Sequence, residues 1–448
     1  MNISKTRSGR YCVPLWALIM VLPTVYCLHF YWQYAGKAWF FQDDFFFIRD
    51  YEYQIHLSQL FSADNFGRFI SRNVYWWALL NVLGRDAHGF FLTNLGLVLA
   101  TAISLTAFVW PVSRWVSCLA GGAYITAGAT VSNFSWLSNS QHLLAHFFVA
   151  TFLLLTRVAW ERRSVVGILV TVPVFLLALC SNVLAVVALS FPLLLLMHKP
   201  AERVSMAAWC ALVCNTVCAL SLLWVLRPAQ DGFYATSLAW LVLYRNIDYY
   251  FGYPIPFLWL AIFLGGAAWY RMRAGQVLQA WLLIAGFVFI IPFLPLVHQH
   301  YLNYAALSHV FVLVGVAVLV TNESARYWRI GTVALLAILC LAFVRSTYSQ
   351  IAYYSYEQRG ANERALVNSM QRLKHNGTFG QDAVICFSGD SDIHLPGSPL
   401  PGYWWGLAFG NAFKIYVDEQ IKYQLLEPGH ACTMRVQING PHLRVFNP

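Results

Sequence analysis

The sequence predicts an α-helical polytopic membrane protein with a small C-terminal extracytoplasmic α/β domain. Three observations predict it. Of 448 residues, 59% are hydrophobic and only 11% are charged, with a mean hydropathy of +0.56; a soluble domain carries about twice that charged share. Apolar runs of the roughly 20 residues that a transmembrane helix needs recur along most of the chain. The formal net charge of +10 sorts into alternate loops. This composition excludes a single soluble globular protein, a disordered chain, collagen and a coiled coil. A basic excess that reports topology also removes the reason to expect a nucleic-acid partner.

About eleven spans are expected, near 13–33, 88–110, 115–131, 142–159, 164–180, 182–197, 204–226, 254–270, 277–297, 301–320 and 328–344. The first is too long and too aromatic for a cleaved signal peptide and lacks a small-residue cleavage site, so it reads as a retained span. The stretch 164–197 as one helix would run about 50 Å against a hydrocarbon core of roughly 30 Å. The polar Ser181-Asn182 pair in its middle therefore predicts a hairpin of two short spans. The apolar runs 74–84 and 236–251 are too short or too mixed to cross and predict helices lying in the membrane interface. With the N-terminus inside, the cytoplasmic segments hold 13 bases against Glu161, Glu202 and Glu323, which accounts for the whole +10; the other side holds 16 bases and 16 acids. Every dense basic loop then obeys the positive-inside rule, with the N-terminus in and the C-terminus out.

Residues 1–344 form the expected transmembrane domain, with a first outer loop at 34–87. From 345 to 448 the charges return and apolar runs shorten, which predicts the outer α/β domain. Residues 357–375 read as a helix, and Ala383–Phe387, Lys414–Val417, Met434–Ile438 and Leu443–Phe446 as short strands between Gly/Pro turns. Among the ten cysteines, Cys210, Cys214 and Cys218 make an i, i+4, i+8 stripe with no His or acid beside it, a pattern of small-residue helix packing rather than of metal ligands. Only Cys386 and Cys432 fall in the outer domain. A disulfide between them suits an oxidising compartment; two separate thiols are the other reading.

The most informative local feature is Phe40-Phe41-Gln42-Asp43-Asp44-Phe45-Phe46-Phe47. Two adjacent carboxylates among aromatics, just past the first span, each raise the other's pKa, as does a low dielectric. Such carboxylates suit a general base or a group that orients a substrate hydroxyl; interfacial charges beside an aromatic belt are the plainer reading. Arg49, Asp50 and Glu52 follow as a solvated loop cluster. Arg68 and Arg72, four apart, would share one face of a helix. They suit a phosphate, or else headgroup anchoring or pairing with Asp64. His142 and His146 stand one turn apart at the outer start of the fourth span, where they would line a site, bind a metal or be satisfied by neighbouring helices. Asn182 marks a hairpin tip, and Arg245 and Asp248 would pair on 236–251.

Taken in order, these features resemble the GT-C membrane glycosyltransferases, which use polyprenyl-phosphate-linked sugars; the closest likeness is to bacterial members and to the TPR-bearing protein O-mannosyltransferases. Asp43-Asp44 matches the family's acidic pair in the first outer loop. Gly89-Phe90-Phe91-Leu92-Thr93-Asn94-Leu95 is similar to its F-x-x-x-N-L stretch. Trp136-Leu137-Ser138-Asn139-Ser140-Gln141-His142-Leu143-Leu144-Ala145 resembles W-I-S-G-R-x-D-L-L-A. Leu179-Cys180-Ser181-Asn182-Val183-Leu184-Ala185 followed by Pro192 resembles L-x-S-K-E-x-A then Pro, and Gln299-His300-Tyr301-Leu302-Asn303-Tyr304 resembles E-R-Y-L-Y-L. The likeness covers about 1–320. The family's Gly-Arg-x-Asp is here Asn139-Ser140-Gln141-His142, its Lys-Glu is Asn182-Val183 and its Glu-Arg is Gln299-His300, so several charged positions are neutral or His.

The resemblance implies a multi-pass protein of a bacterial inner membrane with its active face outside. It implies an inverting transfer of a sugar from a polyprenyl-phosphate donor to a hydroxyl acceptor on a surface glycan, lipid or protein. Asp43 or Asp44 would take the hydroxyl proton. Arg68, Arg72, Arg245 and His300 are the candidates for the departing phosphate, and His142, Asn182 and Tyr301 for the site lining. A divalent metal is compatible with this chemistry but not required, since a lipid phosphate is already a good leaving group. A transporter or flippase is the first rival, disfavoured because mid-span Arg, Lys, Asp and Glu are essentially absent. A polysaccharide polymerase or ligase would carry longer outer loops between its later spans. A non-catalytic scaffold for surface polysaccharide assembly, its outer domain binding a partner, is the third rival, kept open by the altered motifs.

Overall fold

A computed structural model describes residues 15–52, 68–198, 202–225, 235–252, 254–297, 302–322, 326–357, 360–390, 404, 406–427, 429, 431–439 and 442–446. Helix α1 (Leu15–Lys37) precedes the short α2 (Asp43–Glu52). A π-helical turn, Phe69–Val74, runs directly into α3 (Tyr75–Leu83). The apolar helices follow: α4 (Ala87–Val109), α5 (Arg114–Thr126), α6 (Gly128–Ser135), α7 (Ser140–Glu161), α8 (Val165–Ser181), α9 (Ser190–His198) and α10 (Glu202–Val225). Then come α11 (Trp240–Phe251), α12 (Pro254–Arg273), α13 (Val277–Ile290), α14 (Ala306–Asn322) and α15 (Arg326–Glu357).

Six stretches among the described residues are long and apolar enough to cross a membrane: Ala87–Val109, Leu137–Glu161, Ser205–Trp224, Pro254–Arg273, Leu302–Val320 and Gly331–Tyr354. Val165–Ser181, Ala185–His198 and Val277–Phe293 are apolar but shorter. Outward faces carry exposed Leu22, Ile103, Val213, Trp259 and Ile262, as expected of helices solvated by lipid. The stretch Leu302–Val320 is 94% buried and forms the centre of the bundle, where Val310, Phe311, Val314 and Val316 have no exposed surface.

Three expected elements differ in extent. The span expected at 115–131 is broken: Ala127 is extended (φ −60°, ψ 127°) between α5 and α6. Gly128, at the start of α6, lies so close to α15 that an added Cβ would meet Ser346 Oγ at 2.9 Å; a side chain there would force the helices apart. The hairpin expected in 164–197 turns at Asn182 (φ −157°, ψ 120°), but its second arm begins as a 3-10 stretch, Val183–Leu189, before α9. The last span, expected to end at 344, continues as one helix to Glu357. Residues 345–357 hold neither Pro nor Gly, so nothing in the backbone stops the helix where the apolar run ends. The runs expected to lie in the interface are the helices α3 and α11.

Beyond α15, helix α16 (Ala361–His375) packs Leu366, Val367 and Met370 inward. A four-stranded sheet follows, built from β1 (Val384–Asp390), β2 (Lys422–Leu425), β3 (Met434–Asn439) and β4 (His442–Phe446) in the order β2-β1-β3-β4. β1 runs parallel to β2 and β3, and β4 antiparallel to β3. The expected strand Lys414–Val417 is instead part of a helix, α17 (Asn411–Tyr416). Its buried Ala412, Phe413 and Ile415 make an apolar run too short for its period to separate helix from strand. Phe413 stacks on Phe387 of β1 at 4.9 Å. The real partner strand, Lys422–Leu425, lies beyond the next turn. Cys386 on β1 and Cys432 are joined as a disulfide, with Cα atoms 5.8 Å apart.

Candidate functional site

The acidic pair opens α2. Gln42 before it is buried in a left-handed conformation (φ 55°) and its N–H donates to the Gly406 carbonyl at 2.8 Å. This sharp turn lets the two carboxylates start the helix, where the unpaired N–H groups and the helix dipole favour negative charge. Asp44 turns inward and is 1% exposed. Its Oδ2 accepts the Phe41 N–H at 2.9 Å and its Oδ1 accepts Ser138 Oγ at 2.5 Å. Asp43 is half-buried. Burial pushes the Asp44 carboxyl up to about 7; the hydrogen bonds from Ser138 and Phe41 hold it back and the charge of Asp43 adds to the rise. Burial also raises Asp43, and the nearby Arg72 guanidinium draws it back.

Arg68 caps the start of the π-helical turn and Arg72 lies within it. The Arg72 N–H bonds the Arg68 carbonyl at 2.8 Å, and Ser71 between them donates to the Ser181 carbonyl at 2.7 Å, tying the turn to the end of α8. Both guanidiniums then converge on one atom: Arg68 Nη1 and Arg72 Nε donate to Gln141 Oε1 at 2.9 and 3.2 Å. Arg68 is buried, and Arg72 lies over the Phe47 ring of α2 at 5.1 Å. Arg72 also stands close enough to Asp43 to lower its pKa, so carboxylate and guanidiniums share one polar cluster, and guanidiniums are the side chains suited to hold a phosphate.

One residue beyond Gln141, His142 Nδ1 lies 3.2 Å from Asn182 Nδ2, the residue at which the 164–197 hairpin turns. The His142 ring meets Tyr304 edge-on at 5.2 Å and His146 at 6.4 Å, and His146 Nδ1 lies 3.1 Å from the Tyr124 hydroxyl. A small cavity of about 40 Å³ touches His142, His146, Asn182, Phe293 and Tyr304. The first-loop helix α2, the π-turn, the start of α7 and the Asn182 break thus meet in one place, although their residues lie up to about 140 positions apart in the chain.

The C-terminal sheet domain backs this site. Gly406 takes the Gln42 N–H, Arg49 Nη1 donates to Asn411 Oδ1 at 3.0 Å, and Trp39 packs on Tyr416 at 5.1 Å. Arg49 also pairs with Asp50 on the exposed side of α2. Arg245 is not among the clustered residues: its Nη2 donates to the Val297 carbonyl at 2.5 Å, and Asn246 beside it ties α11 to the carbonyls of Leu294 and Leu296. The pairing expected between Arg245 and Asp248 is therefore replaced by a backbone contact. Asp64, His300 and Tyr301 lie outside the described residues. Three residues of the site carried no role at the level of sequence: Ser138, Gln141 and Tyr304. Ser138 and Gln141 stand inside the Trp136–Ala145 segment, so their position was visible while their partners were not. Among the described residues no three His, Cys, Asp or Glu side chains converge to hold a metal ion.

No family model matches the chain, and no curated protein matches it. Among solved structures it is similar to the crystal structure of the Archaeoglobus fulgidus oligosaccharyltransferase tethered through a disulfide bond to an acceptor peptide containing the NVT sequon. The identity is 11%, the TM-score is 0.48, and the match covers 92% of this chain. It spans 64% of the length of that protein.

Proposed function

We propose that this chain is an inverting glycosyltransferase that moves a sugar from a polyprenyl-phosphate donor to a hydroxyl acceptor on a surface glycan, lipid or protein. The observation that carries this reading is the meeting of Asp43 and Asp44 with Arg68, Arg72, Gln141, His142 and Asn182 at one end of an apolar bundle. A proton acceptor stands there beside two guanidiniums, the two groups that this transfer demands. The acceptor oxygen attacks the anomeric carbon, the bond from that carbon to the phosphate oxygen breaks, and the polyprenyl phosphate departs with the electron pair. Asp43 takes the hydroxyl proton, because its carboxylate is the more open of the two. Asp44, held by Ser138 and the Phe41 N–H, positions the start of α2. Arg68 and Arg72 stabilise the charge growing on the departing phosphate, and the donor's tail stays in the bilayer. With eleven spans and the N-terminus inside, the site faces outward, where the basic loops do not reach.

The test is a deletion strain complemented with the natural chain or with Asp43→Asn, its surface glycans compared by mass spectrometry. The natural chain restores the parental glycan and Asp43→Asn, expressed at the same level, leaves the deletion profile. A parental profile from Asp43→Asn would overturn the assignment. A C-terminal alkaline phosphatase fusion is expected to be active; an inactive one would reverse the orientation.

A further inference from the structure

At the end of the bundle away from the acidic pair, α1, α4 and α5 leave a groove of about 900 Å³ between them. Its floor exists because α5 carries Gly121-Gly122 there. A Cβ added at Gly121 would stand 2.3 Å from Thr106 Oγ1, and one at Gly122 would stand 3.2 Å from Thr24 Oγ1. The Thr24 and Thr106 hydroxyls turn back onto the carbonyls of Met20 and Ala102, so the groove is apolar along its length. Val21, Val25 and Ile103 form its exposed walls.

Its head end is basic and aromatic. Arg157 borders the groove, with Nη2 on the Ala107 carbonyl and Nη1 on Glu161, each at 3.1 Å, while its Nε is buried with no partner among the described residues. Trp110 and Trp115 line the same end, and the exposed Arg114 lies over the Trp110 ring at 5.8 Å.

We propose that this groove binds an anionic phospholipid, one acyl chain lying against Val21, Val25 and Ile103 and the phosphate between Arg114 and Arg157. An apolar slot open to the bilayer takes hydrocarbon, since leaving it empty forfeits dispersion contacts along both walls. Tryptophans mark the headgroup level of a membrane. Two arginines against the single carboxylate of Glu161 select a headgroup of negative charge. Val25, the groove residue of α1 nearest the acidic pair, stands 12 residues before Lys37 at the end of that helix, about 18 Å at 1.5 Å per residue. The groove is thus separate from the acidic pair, and the proposal does not rest on the catalytic reading.

The test is native mass spectrometry of the full chain released from detergent micelles, with phosphatidylglycerol or phosphatidylcholine of identical acyl chains added. The natural chain is expected to retain phosphatidylglycerol at least about fivefold more than phosphatidylcholine. Val25→Trp, which fills the groove from an exposed wall, lowers that retention about tenfold. Ile103→Trp does the same from the facing helix and serves should the first variant fold poorly. Arg114→Gln lowers phosphatidylglycerol to the phosphatidylcholine level. Equal retention of the two lipids by the natural chain, or unchanged phosphatidylglycerol binding in a folded groove-filling variant, overturns the proposal.

Discussion

The two ends of the helix bundle use charge in opposite ways. At one end Asp44 and Arg68 are buried, and the polar groups around them, Ser138, Gln141, His142 and Asn182, are buried with them. At the other, Arg114, Arg162 and Arg163 are exposed, and Arg157, whose side chain is 11% exposed, is the exception and pairs with a Glu161 whose side chain is 52% exposed. Burying a charge is costly unless it is paired and hydrogen-bonded, and exposing one costs little. The exposed arginines are what topology alone would need. The buried carboxylate and guanidinium ask for a further reason, and the chemistry proposed above supplies it.

The contrast breaks or sharpens under substitution. The largest effect is expected from Asp43→Asn, a loss of transfer of about 10²–10⁴-fold, the usual worth of a general base. An assay of sugar transfer from a polyprenyl-phosphate donor in membranes measures it. Next is Arg72→Ala, about 10²-fold in kcat for the loss of one cation at the leaving group. Because Arg72 draws the Asp43 pKa down, its removal also shifts the acid limb of the kcat/KM profile to higher pH. An unmoved limb would separate Arg72 from Asp43.

Asp44→Asn reads stability instead. Its carboxyl rises from an ordinary 3.8 to about 7, so between those values the native protein holds a proton that the unfolded chain gives up. Stability from this group is full below pH 3.8 and falls as pH rises toward 7. Thermal melts in detergent across that window should show a slope that Asp44→Asn removes. The smallest effect is expected at the opposite end, where Arg162→Gln with Arg163→Gln should change stability by no more than about 0.5 kcal/mol and leave transfer intact. A large loss there would erase the contrast between the two ends.

Much of this arrangement was legible in the chain. Asp43-Asp44 among phenylalanines, the four-residue spacing of Arg68 and Arg72, and the Ser181-Asn182 break could each be named without coordinates, because each is a local pattern. Gln141 could not be identified as the meeting point of both arginines, nor Ser138 as the partner of Asp44 across 94 positions, because sequence spacing says nothing about contacts between distant elements. Arg245, equally plausible as a phosphate ligand by charge, went to a backbone carbonyl instead. The strand expected at Lys414–Val417 became a helix for the related reason that four residues carry too little period to choose.

Hydropathy and the sorting of bases into alternate loops determined by themselves that this is a helical chain with the composition of a membrane protein and a different kind of domain at its end. Burying backbone polar groups in apolar surroundings leaves few other solutions, and that requirement is written residue by residue. Only the tertiary structure decided which charges are buried together, that α15 runs on unbroken to Glu357, and that Gly121-Gly122 lets α5 approach α1 and α4 closely beneath the groove. Those outcomes depend on which helices become neighbours, and packing between elements distant in the chain sets that.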